Sequence, residues 1–398
     1  MACGPTPATA NATALYYLIQ DTCGELPANP VFKKIPFTGG VPFVQRDVLQ
    51  SSVLDGTPEI TGVRLGSYNV SSETAIELKY GAFDDLLAAA MQSDWVTGTA
   101  LTGESVTISA DDKAATVAGS DLTPSISVGD YIKFSDLTGY NSNPQLVTAI
   151  TFDSTDTVIT LGMAKTTNEL MGIVGLADET ATSDVVTNDT LTVGTNRKKV
   201  ALLVEYGDIT GGPTYDLTMD AEATGFTFNV AVNAIVTGSI NFIGKSHKGN
   251  FTLPVGTTFE DLDDSESFTG IDGCLAKDNE PLLLSTSVDL TLDRSASAVF
   301  ELCSKYLSHV SYGKANNTVS VSTFFYDYEL SNQFENEIDG DYSMRCSLDG
   351  KALAFNYPNC KITGLTRDVG EGDVAQTAEL QAYKPASSPS SLIIRRVG

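Results

Sequence analysis

The stretch from Thr74 to Trp95 contains two different periodicities, and it constrains the fold more than any other part of the chain. Apolar and charged residues alternate over residues 76–80, which is the pattern of a strand with one buried face and one exposed face. After Gly81, apolar residues recur at the spacing of one helix face, at Phe83, Leu86, Leu87, Ala90 and Met91. The stretch therefore predicts a half-buried strand, a glycine bend and a short amphipathic helix.

Strand patterns dominate the remainder of the chain. A buried strand is predicted at Val200–Glu205, and a long hairpin is predicted at residues 226–244. In that hairpin the apolar residues at even positions face a core: Phe226, Phe228, Val230, Val232, Val236, Ile240 and Phe242. One further helical pattern occupies residues 298–307. We therefore predict a mainly β protein made of β-sandwich domains, with a flanking short helix and an inserted small all-β module.

Shifts in composition divide the chain into segments. At 398 residues it is longer than one typical hydrophobic core requires. Residues 97–196 are rich in Thr, Asp, Ser, Ala and Val with short strand signals, so we predict an insertion that faces outward. The predicted order is a first sandwich (1–96 and 197–250, with an N-terminal arm and a long loop at 36–62), the insertion (97–196), a linker loop (251–281), a second sandwich (282–384) and a tail (385–398).

The two predicted sandwiches share a weak internal similarity. In the second half, residues 318–334 resemble the strand–helix unit of Thr74–Trp95, and residues 342–384 follow them. In the first half, a hairpin-bearing block at residues 200–245 follows the strand–helix unit. This order indicates an internal duplication, although any two β-sandwiches share some of it.

Charge and cysteine usage exclude several classes of protein. The chain carries 24 Lys and Arg against 50 Asp and Glu, a net charge of −26, so its outer surface is not made to bind nucleic acid. No stretch approaches the roughly 20 apolar residues of a membrane helix, and the first 20 residues lack the basic start of a secretory signal. The six cysteines are scattered and contain no CxxC pair, which favours reduced thiols over a disulfide framework.

No constellation of catalytic or metal-binding residues is present in the sequence. The two histidines, His247 and His309, have no Cys or His nearby, and no GxSxG motif occurs. Residues 238–246 nearly spell a phosphate-binding loop, but the spacing is one residue too long and the residues alternate as a strand. The acidic run at residues 260–266 lacks the order of a calcium loop. We therefore expect no enzyme activity, cofactor or metal, although paired carboxylates somewhere among fifty acids remain an open alternative.

The residues Glu77–Trp95, ELKYGAFDDLLAAAMQSDW, resemble the strand-then-helix signature of siphophage tail tube proteins. Residues 20–40 and the block at residues 198–246 resemble the same family, and the last hundred or so residues do so less closely. One departure lies at residues 20–24, where Glu would be more typical than Gln20 or Asp21. These motifs are patterns of core residues, so they are moderately specific.

The resemblance implies a structural protein of the virion tail, assembled in the host cytoplasm. In that family, packed sheets of neighbouring subunits join into a β-barrel ring, and the rings stack into a tube through which the genome passes. The implied partners are other copies of the chain, the tape measure protein, and the tail terminator and baseplate proteins, with DNA crossing the lumen unbound. The helix residues Phe83, Leu86, Leu87, Ala90 and Met91 are then candidates for packing between subunits. The candidates for contacts between rings are Phe37, Phe43, Val48 and Leu49 of the long loop.

Length bears on the number of subunits in a ring. Without the insertion, the chain is about twice the length of a typical domain, so three chains with two tube domains each would close a pseudo-hexameric ring. A ring of six is the alternative, if the C-terminal part is a decoration domain. A different class of protein, an adhesion or carbohydrate-binding surface protein built of β-sandwiches, also fits the composition. The aromatic residues here fall mostly within alternating strands, whereas such modules usually present them on loops.

Overall fold

The computed structural model describes residues 7–53, 58–110, 113–138, 141, 143–162, 176–209, 211–261 and 265–398. Up to the insertion, the elements are a 3-10 turn (Ala10–Ala12), β1 (Thr13–Gln20), β2 (Val31–Ile35), β3 (Phe37–Gly39), β4 (Phe43–Gln50), β5 (Val63–Glu77) and α1 (Asp84–Met91). The insertion contains β6 (Ala100–Ser109), β7 (Ala114–Ala118), β8 (Tyr131–Phe134), β9 (Gln145–Phe152), β10 (Asp156–Gly162) and β11 (Glu179–Thr187).

The chain then continues with further strands and one more helix. The middle part contains β12 (Asp189–Thr192), β13 (Lys199–Tyr206), β14 (Thr214–Ala231), β15 (Thr237–Gly244), β16 (Ser246–Lys248), β17 (Thr258–Glu260), β18 (Gly273–Lys277) and β19 (Glu280–Pro281). The last part contains β20 (Ser285–Asp293), β21 (Ser297–Phe300), β22 (Leu307–Ser311), β23 (Asn316–Phe324), α2 (Glu329–Glu335), β24 (Gly340–Leu348), β25 (Lys351–Asp368), β26 (Ala375–Ala382) and β27 (Ile393–Val397). The prediction of a mainly β protein is confirmed.

One antiparallel sheet, which we call the continuous sheet, runs through both halves of the chain. From one side to the other its order is β3 and β4, β5, β15, the C-terminal half of β14, β20, β23, β26 and the C-terminal half of β25. The junction between the halves is the pairing of β14 with β20, from Gly225 opposite Asp293 to Ala231 opposite Ser287. The halves are therefore joined by main-chain hydrogen bonds as well as by side-chain packing.

Two smaller back sheets cover one face of the continuous sheet. The first contains β2, β1, β13, the N-terminal half of β14 and β16, with β17 parallel to β2. The second contains β19, β18, β24, the N-terminal half of β25, β27 and β12. Both β14 and β25 have 18 residues and pass from a back sheet into the continuous sheet. Irregularities in register at residues 223–225 and 362–364 follow each crossing, where a strand must bend and twist.

The core between these layers is a single apolar cluster that includes α1. In the long hairpin, the alternating residues Phe226, Phe228, Val230, Val236, Ile240 and Phe242 are buried as predicted. Val232 is exposed instead, because the strand ends at Ala231 and the chain turns there. The ring of Phe355 on β25 packs against Phe226 and Phe228 on β14, with centroids 6.2 and 5.4 Å apart. This aromatic cluster therefore links the two halves.

Phe355→Ala is expected to lower the free energy of unfolding by about 3–5 kcal/mol, because the ring is 1% exposed and its removal leaves a cavity between β14 and β25. Urea denaturation followed by circular dichroism measures the loss. Phe324→Ala removes a ring that is 38% exposed and is expected to cost less than about 1 kcal/mol. Equal losses in the two variants would contradict the role of Phe355 in the core.

A buried carboxylate lies at the junction of the two halves. Glu222 on β14 accepts hydrogen bonds from Arg197 Nε at 2.9 Å, from the Lys199 ammonium and from the Tyr312 hydroxyl at 2.9 Å. Burial alone would raise the pKa of Glu222, but these donors outweigh burial and hold the pKa below its usual value. Arg197 also donates to the carbonyl of Val310 on β22, so the small β21–β22 hairpin is tied to the first half.

The insertion forms a closed barrel in the order β10, β7, β6, β11, β8 and β9, with its own apolar core. It packs on the second back sheet, on the side away from the continuous sheet, where Tyr131 and Leu146 contact Ala354 and Val397. The Arg345 guanidinium donates to the carbonyl of Pro144 at 3.0 Å. The barrel and the second half therefore share a small interface of their own.

The structure corrects four local predictions. Residues 36–62 are not simply a long loop, because β3 and β4 pair with β5. The helix indicated by the pattern at residues 298–307 is wrong, because those residues belong to the β21–β22 hairpin and its turn. The predicted linker at residues 251–281 contributes β18, which pairs with β24. The predicted tail contains β27, which lies between β12 and β25. For the predicted linker and the predicted tail, a partner strand far away in the chain decided the conformation.

Candidate assembly surfaces

The exposed face of the continuous sheet carries short polar side chains. Strand alternation directs the apolar residues of each strand into the core and the intervening residues outward. The outward residues include Ser71, Glu73, Glu77, Thr227, Asn229, Ser239, Asn241, Asp289, Thr291, Ser320, Thr377 and Glu379. We call this surface the polar face.

Hydrogen bonds between neighbouring strands hold many of these side chains in place. The hydroxyl oxygens of Thr227 and Ser239 are 2.9 Å apart, and the Ser239 hydroxyl donates a hydrogen bond to the Glu73 carboxylate at 3.1 Å. The Asn229 amide donates to Asp289 at 2.6 Å. In the second half, the Ser320 hydroxyl donates to Glu379 at 2.9 Å. Because these groups satisfy one another, the face is hydrophilic yet presents few free donors.

The charge of the polar face is negative. The residues at 70–77 and 222–231, together with β15, β20, β23 and β26, contain no Lys or Arg. Its outward carboxylates are Glu73, Glu77, Asp289, Asp293 and Glu379. Such a surface repels phosphate groups and offers them no partner for ion pairing.

An arm extends the continuous sheet at one end. It consists of β4 and the first part of β5, and the pairing places Val48 opposite Leu65 and Gln50 opposite Val63. Of the four residues predicted for contacts between rings, Phe43, Val48 and Leu49 are exposed in the arm, at 60%, 57% and 57%. Phe37 on β3 is half-buried against the core instead. Sequence reasoning missed Leu65 and Val63, which join Val48 in one apolar patch, although their alternation with Arg64 was a usable signal.

The predicted subunit-packing helix is buried within one chain. Phe83, Leu86, Leu87, Ala90 and Met91 are all part of the apolar core of the chain. A role for the helix between subunits stays a prediction, and its apolar stripe is already occupied by contacts inside the chain. At the start of α1, Asp85 accepts hydrogen bonds from the Lys33 ammonium at 2.8 Å and the Tyr17 hydroxyl at 3.2 Å. Burial and the Asp85 carboxylate both raise the pKa of Tyr17, so the phenol remains a donor.

The two outer strands of the continuous sheet each leave one edge without a main-chain partner. Among the described residues, no strand pairs with the outer side of β3 and β4 at one end. At the other end, β25 pairs with β26 beyond Cys360, and no strand of the described part of the chain pairs with its opposite edge over residues 361–368. An unpaired edge of this length is a template for another strand. The continuous sheet therefore has two places at which a further strand can be added.

A comparison with protein families decides among the classes left open by the sequence. A family model described as phage tail tube protein matches residues 10–382. The chain belongs to the phage tail tube protein family. A search of curated proteins finds no match. The recognition made from Glu77–Trp95 and the flanking blocks is thereby confirmed, and the chain is a structural protein of the virion tail.

Membership of the tail tube family implies self-assembly into a tube. Over the described ranges, no group of three or more His, Cys, Asp or Glu side chains is arranged to hold a metal ion. The same residues include no helix with the length and apolar character needed to cross a membrane. The polar face, the arm and the two free edges are the candidate assembly surfaces of this tail tube protein.

Proposed function

We propose that three chains close a ring in which the continuous sheets line the lumen, and that the rings stack into the tail tube that carries the phage genome to the host. A ring of six chains is the alternative. The observation that carries this proposal is the polar face, a broad sheet surface of short, hydrogen-bonded and acidic side chains. Residues 70–77 and 222–231 and strands β15, β20, β23 and β26 contribute no Lys or Arg to it, and Lys361 on the outermost strand β25 lies near the carboxylates of Glu337 and Asp339. DNA moves along such a surface without being held.

The remaining surfaces fit the same arrangement. The barrel of β6–β11 lies on the side opposite the polar face, so in a ring it faces outward. The apolar patch of the arm is suited to contacts between stacked rings, because an exposed patch of this kind marks an interaction site. The tape measure protein is the proposed occupant of the lumen before ejection. The terminator and baseplate proteins are proposed to close the two ends of the tube, and assembly takes place in the host cytoplasm.

Negative-stain microscopy of the purified protein tests the assembly. Tubes or rings with a central hole are the expected result, and a projection along the axis distinguishes the two proposed rings. Three chains give alternating outer densities because two unlike halves repeat, whereas six chains give six equivalent lobes. A chain that remains a monomer at high concentration, with no tube or ring, would contradict the proposal.

Reversing the charge of the polar face is expected to slow genome release. The triple variant Glu73→Lys, Asp289→Lys and Glu379→Lys places lysines where the lumen is proposed, and each lysine attracts phosphate groups as they pass. Phages assembled with this variant are expected to release DNA at least about tenfold more slowly, as measured by dye fluorescence after triggering.

The matched control places three lysines on the barrel, at Asp121, Asp153 and Asp178, and is expected to leave the rate of release unchanged. Intact tubes of the polar-face variant with normal release kinetics would contradict the assignment of this face to the lumen.

A further inference from the structure

The two halves of the chain repeat the same strand pairing. In the first half, β5 precedes α1, and β13, β14 and β15 follow as a meander whose last strand pairs with β5. In the second half, β23 precedes α2, and β24, β25 and β26 follow as a meander whose last strand pairs with β23. The blocks at residues 200–245 and 342–384, from which a duplication was predicted, therefore share one pattern of hydrogen-bonded strand pairing.

The repeat extends to individual residues. On β14, the register shifts after Ala223, resumes at Gly225, and places Phe226 opposite Ile240. On β25, the register shifts after Ile362, resumes at Gly364, and places Leu365 opposite Ala378. Each meander also has an irregularity between its first two strands, at Val200 opposite Ala221 and at Gly340 opposite Cys360. Gly225 and Gly364 are thus equivalent positions.

The strand that begins each half is also equivalent. In the second half β20 pairs with β23, and in the first half β3 and β4 together pair with β5. The β3–β5 and β20–β23 pairings both begin with the same shift of register. The residue pairs that correspond in the two halves are Phe37–Ile76 with Ser285–Thr323, Gly39–Ala75 with Ser287–Ser322, and Phe43–Ser71 with Thr291–Thr318. Phe43 is therefore the counterpart of Thr291, and Val44 is the counterpart of Leu292.

This repeat leaves one pairing incomplete within a single chain. In the first half, the outer edge of β14 is covered by β20 of the second half. The equivalent edge of β25 is free, and so is the equivalent of β20, which is β3 and β4. The chain therefore makes this pairing once, between β14 and β20. Within the described part of the chain, the counterparts of these two strands, β25 and the pair β3 and β4, each lack a partner at the equivalent edge.

On the basis of the proposed ring, we propose that β3 and β4 of a second copy of this chain pair antiparallel with residues 364–368 of β25. The register of this pairing is that of the β14–β20 junction. Transferring that register gives five predicted pairs between copies: Gly364 with Gln45, Leu365 with Val44, Thr366 with Phe43, Arg367 with Pro42, and Asp368 with Val41. The partner is a second copy because each chain supplies both missing edges and the chain's own junction supplies the template.

The glycine at position 364 supports this register. A Cβ on Gly225 would overlap the carbonyl oxygen of Leu292 on the covering strand, so the close approach of β20 requires glycine there. A Cβ on Gly364 would meet only the side chain of Glu379, at 3.6 Å, which is ordinary contact. Within one chain, therefore, no close approach of a neighbouring strand accounts for glycine at 364. In the proposed junction, the carbonyl of Val44 from the second copy occupies the place that Leu292 has at Gly225.

The apolar side chains at the free edges are also complementary. Inside the chain, Phe226 lies opposite Leu292 and both are buried. Their counterparts, Leu365 and Val44, are apolar, and each is only partly buried in a single chain. The proposed pairing places these two side chains opposite each other on the core face, which continues the apolar core from one copy into the next.

Gly364→Ala tests the close approach. The variant chain is expected to fold with an unchanged midpoint of denaturation, and its critical concentration for tube formation is expected to rise at least about tenfold, as measured by sedimentation. Gly225→Ala is the matched comparison, because the same methyl group meets a strand of its own chain, and it is expected to lower the midpoint of denaturation. Normal assembly of Gly364→Ala would overturn the proposed register.

Cysteine cross-linking provides a second measurement that does not depend on the glycine. The pair Thr366→Cys with Phe43→Cys is predicted to be directly opposed, whereas Thr366→Cys with Gln45→Cys is displaced by two residues along the same face. In oxidised tubes, the first pair is expected to give at least about tenfold more covalent dimer than the second. Preferential cross-linking of the displaced pair, or no cross-linking of either pair in intact tubes, would overturn the register while leaving the proposed ring standing. A wild-type chain that forms no rings or tubes would instead refute the proposed function.

Discussion

Ending the chain after Ser391 lowers the free energy of unfolding by at least about 5 kcal/mol, because it removes β27 from the middle of the second back sheet. Leu392, Ile393, Ile394 and Val397 are all buried, and each buried apolar side chain of this size contributes about 1.5–3 kcal/mol. The truncation also leaves β12 and the N-terminal half of β25 with unpaired edges inside the molecule.

Arg396 adds a polar component to this loss. Its guanidinium donates to Asp189 at 2.9 Å, contacts the carboxylate of Asp84 and lies 4.6 Å from the ring centre of Trp95. Burial acts to lower the pKa of Arg396, but the carboxylates of Asp84 and Asp189 outweigh it and raise the pKa. Without β27, these two carboxylates lose a cation that ties the start of α1 to the exit from the barrel.

Thermal and urea denaturation of the truncated chain measure the effect. A chain ended after Val397 loses only Gly398 and is expected to match the full chain within about 0.5 kcal/mol. Ile394→Ala, which keeps the strand but removes one side chain of the core, is expected to cost about 2–5 kcal/mol. A truncated chain as stable as the full chain would show that β27 is dispensable and would contradict this prediction.

Placing two carboxylates on the arm abolishes tube formation without unfolding the chain. The variant carries Val48→Asp and Leu65→Asp. Val48 and Leu65 lie opposite each other on the exposed face of the β4–β5 pair, and both side chains are 57% exposed in the single chain. Within a chain the new carboxylates stay in water, so the free energy of unfolding is expected to change by less than about 1 kcal/mol. Between stacked rings, each buried and unpaired carboxylate costs several kcal/mol, and the cost recurs at every subunit.

Sedimentation velocity and negative-stain microscopy measure the loss of tubes, and circular dichroism checks that the chain is folded. The matched control is Val128→Asp, because Val128 lies on the barrel and is 55% exposed, close to the value for Val48. Val128→Asp is expected to form tubes of normal length. If the double arm variant also forms normal tubes, the arm does not mediate stacking. If the double arm variant forms isolated rings, the arm is needed for contacts between rings but not for contacts within a ring.

Local patterns in the sequence predicted the strand–helix units of both halves, although the helical pattern at residues 298–307 proved to be a β-hairpin. Alternation over residues 76–80 and the helical spacing from Phe83 to Met91 correspond to the end of β5 and to α1. The similarity between residues 318–334 and the strand–helix unit corresponds to β23 followed by α2. These elements were predictable because their periodicity reflects one buried face, and the burial of that face is recorded in adjacent residues.

The candidate surfaces were less predictable than the elements that form them. Alternation in residues 226–242 identified the buried residues of the hairpin, but it did not identify which polar residues share a surface with Asp289 and Glu379 from distant strands. The exposed residues Phe43, Val48 and Leu49 were identified as candidates, although the strand pairing that aligns Val48 with Leu65 was not. Register between distant strands depends on which strands meet, and a local pattern does not contain that information.

The sequence by itself determined that this is a mainly β, acidic protein with strand–helix units in both halves and the core residues of a tail tube protein. Only the tertiary structure decided that β20 joins the halves and that β27 lies between β12 and β25 in the second back sheet. It also decided that, among the residues described, no strand pairs with the outer edges of β3, β4 and β25. The physical reason is that alternation specifies only which face of a strand is buried. The choice of neighbour is settled by packing and main-chain hydrogen bonding among segments that lie far apart in the chain.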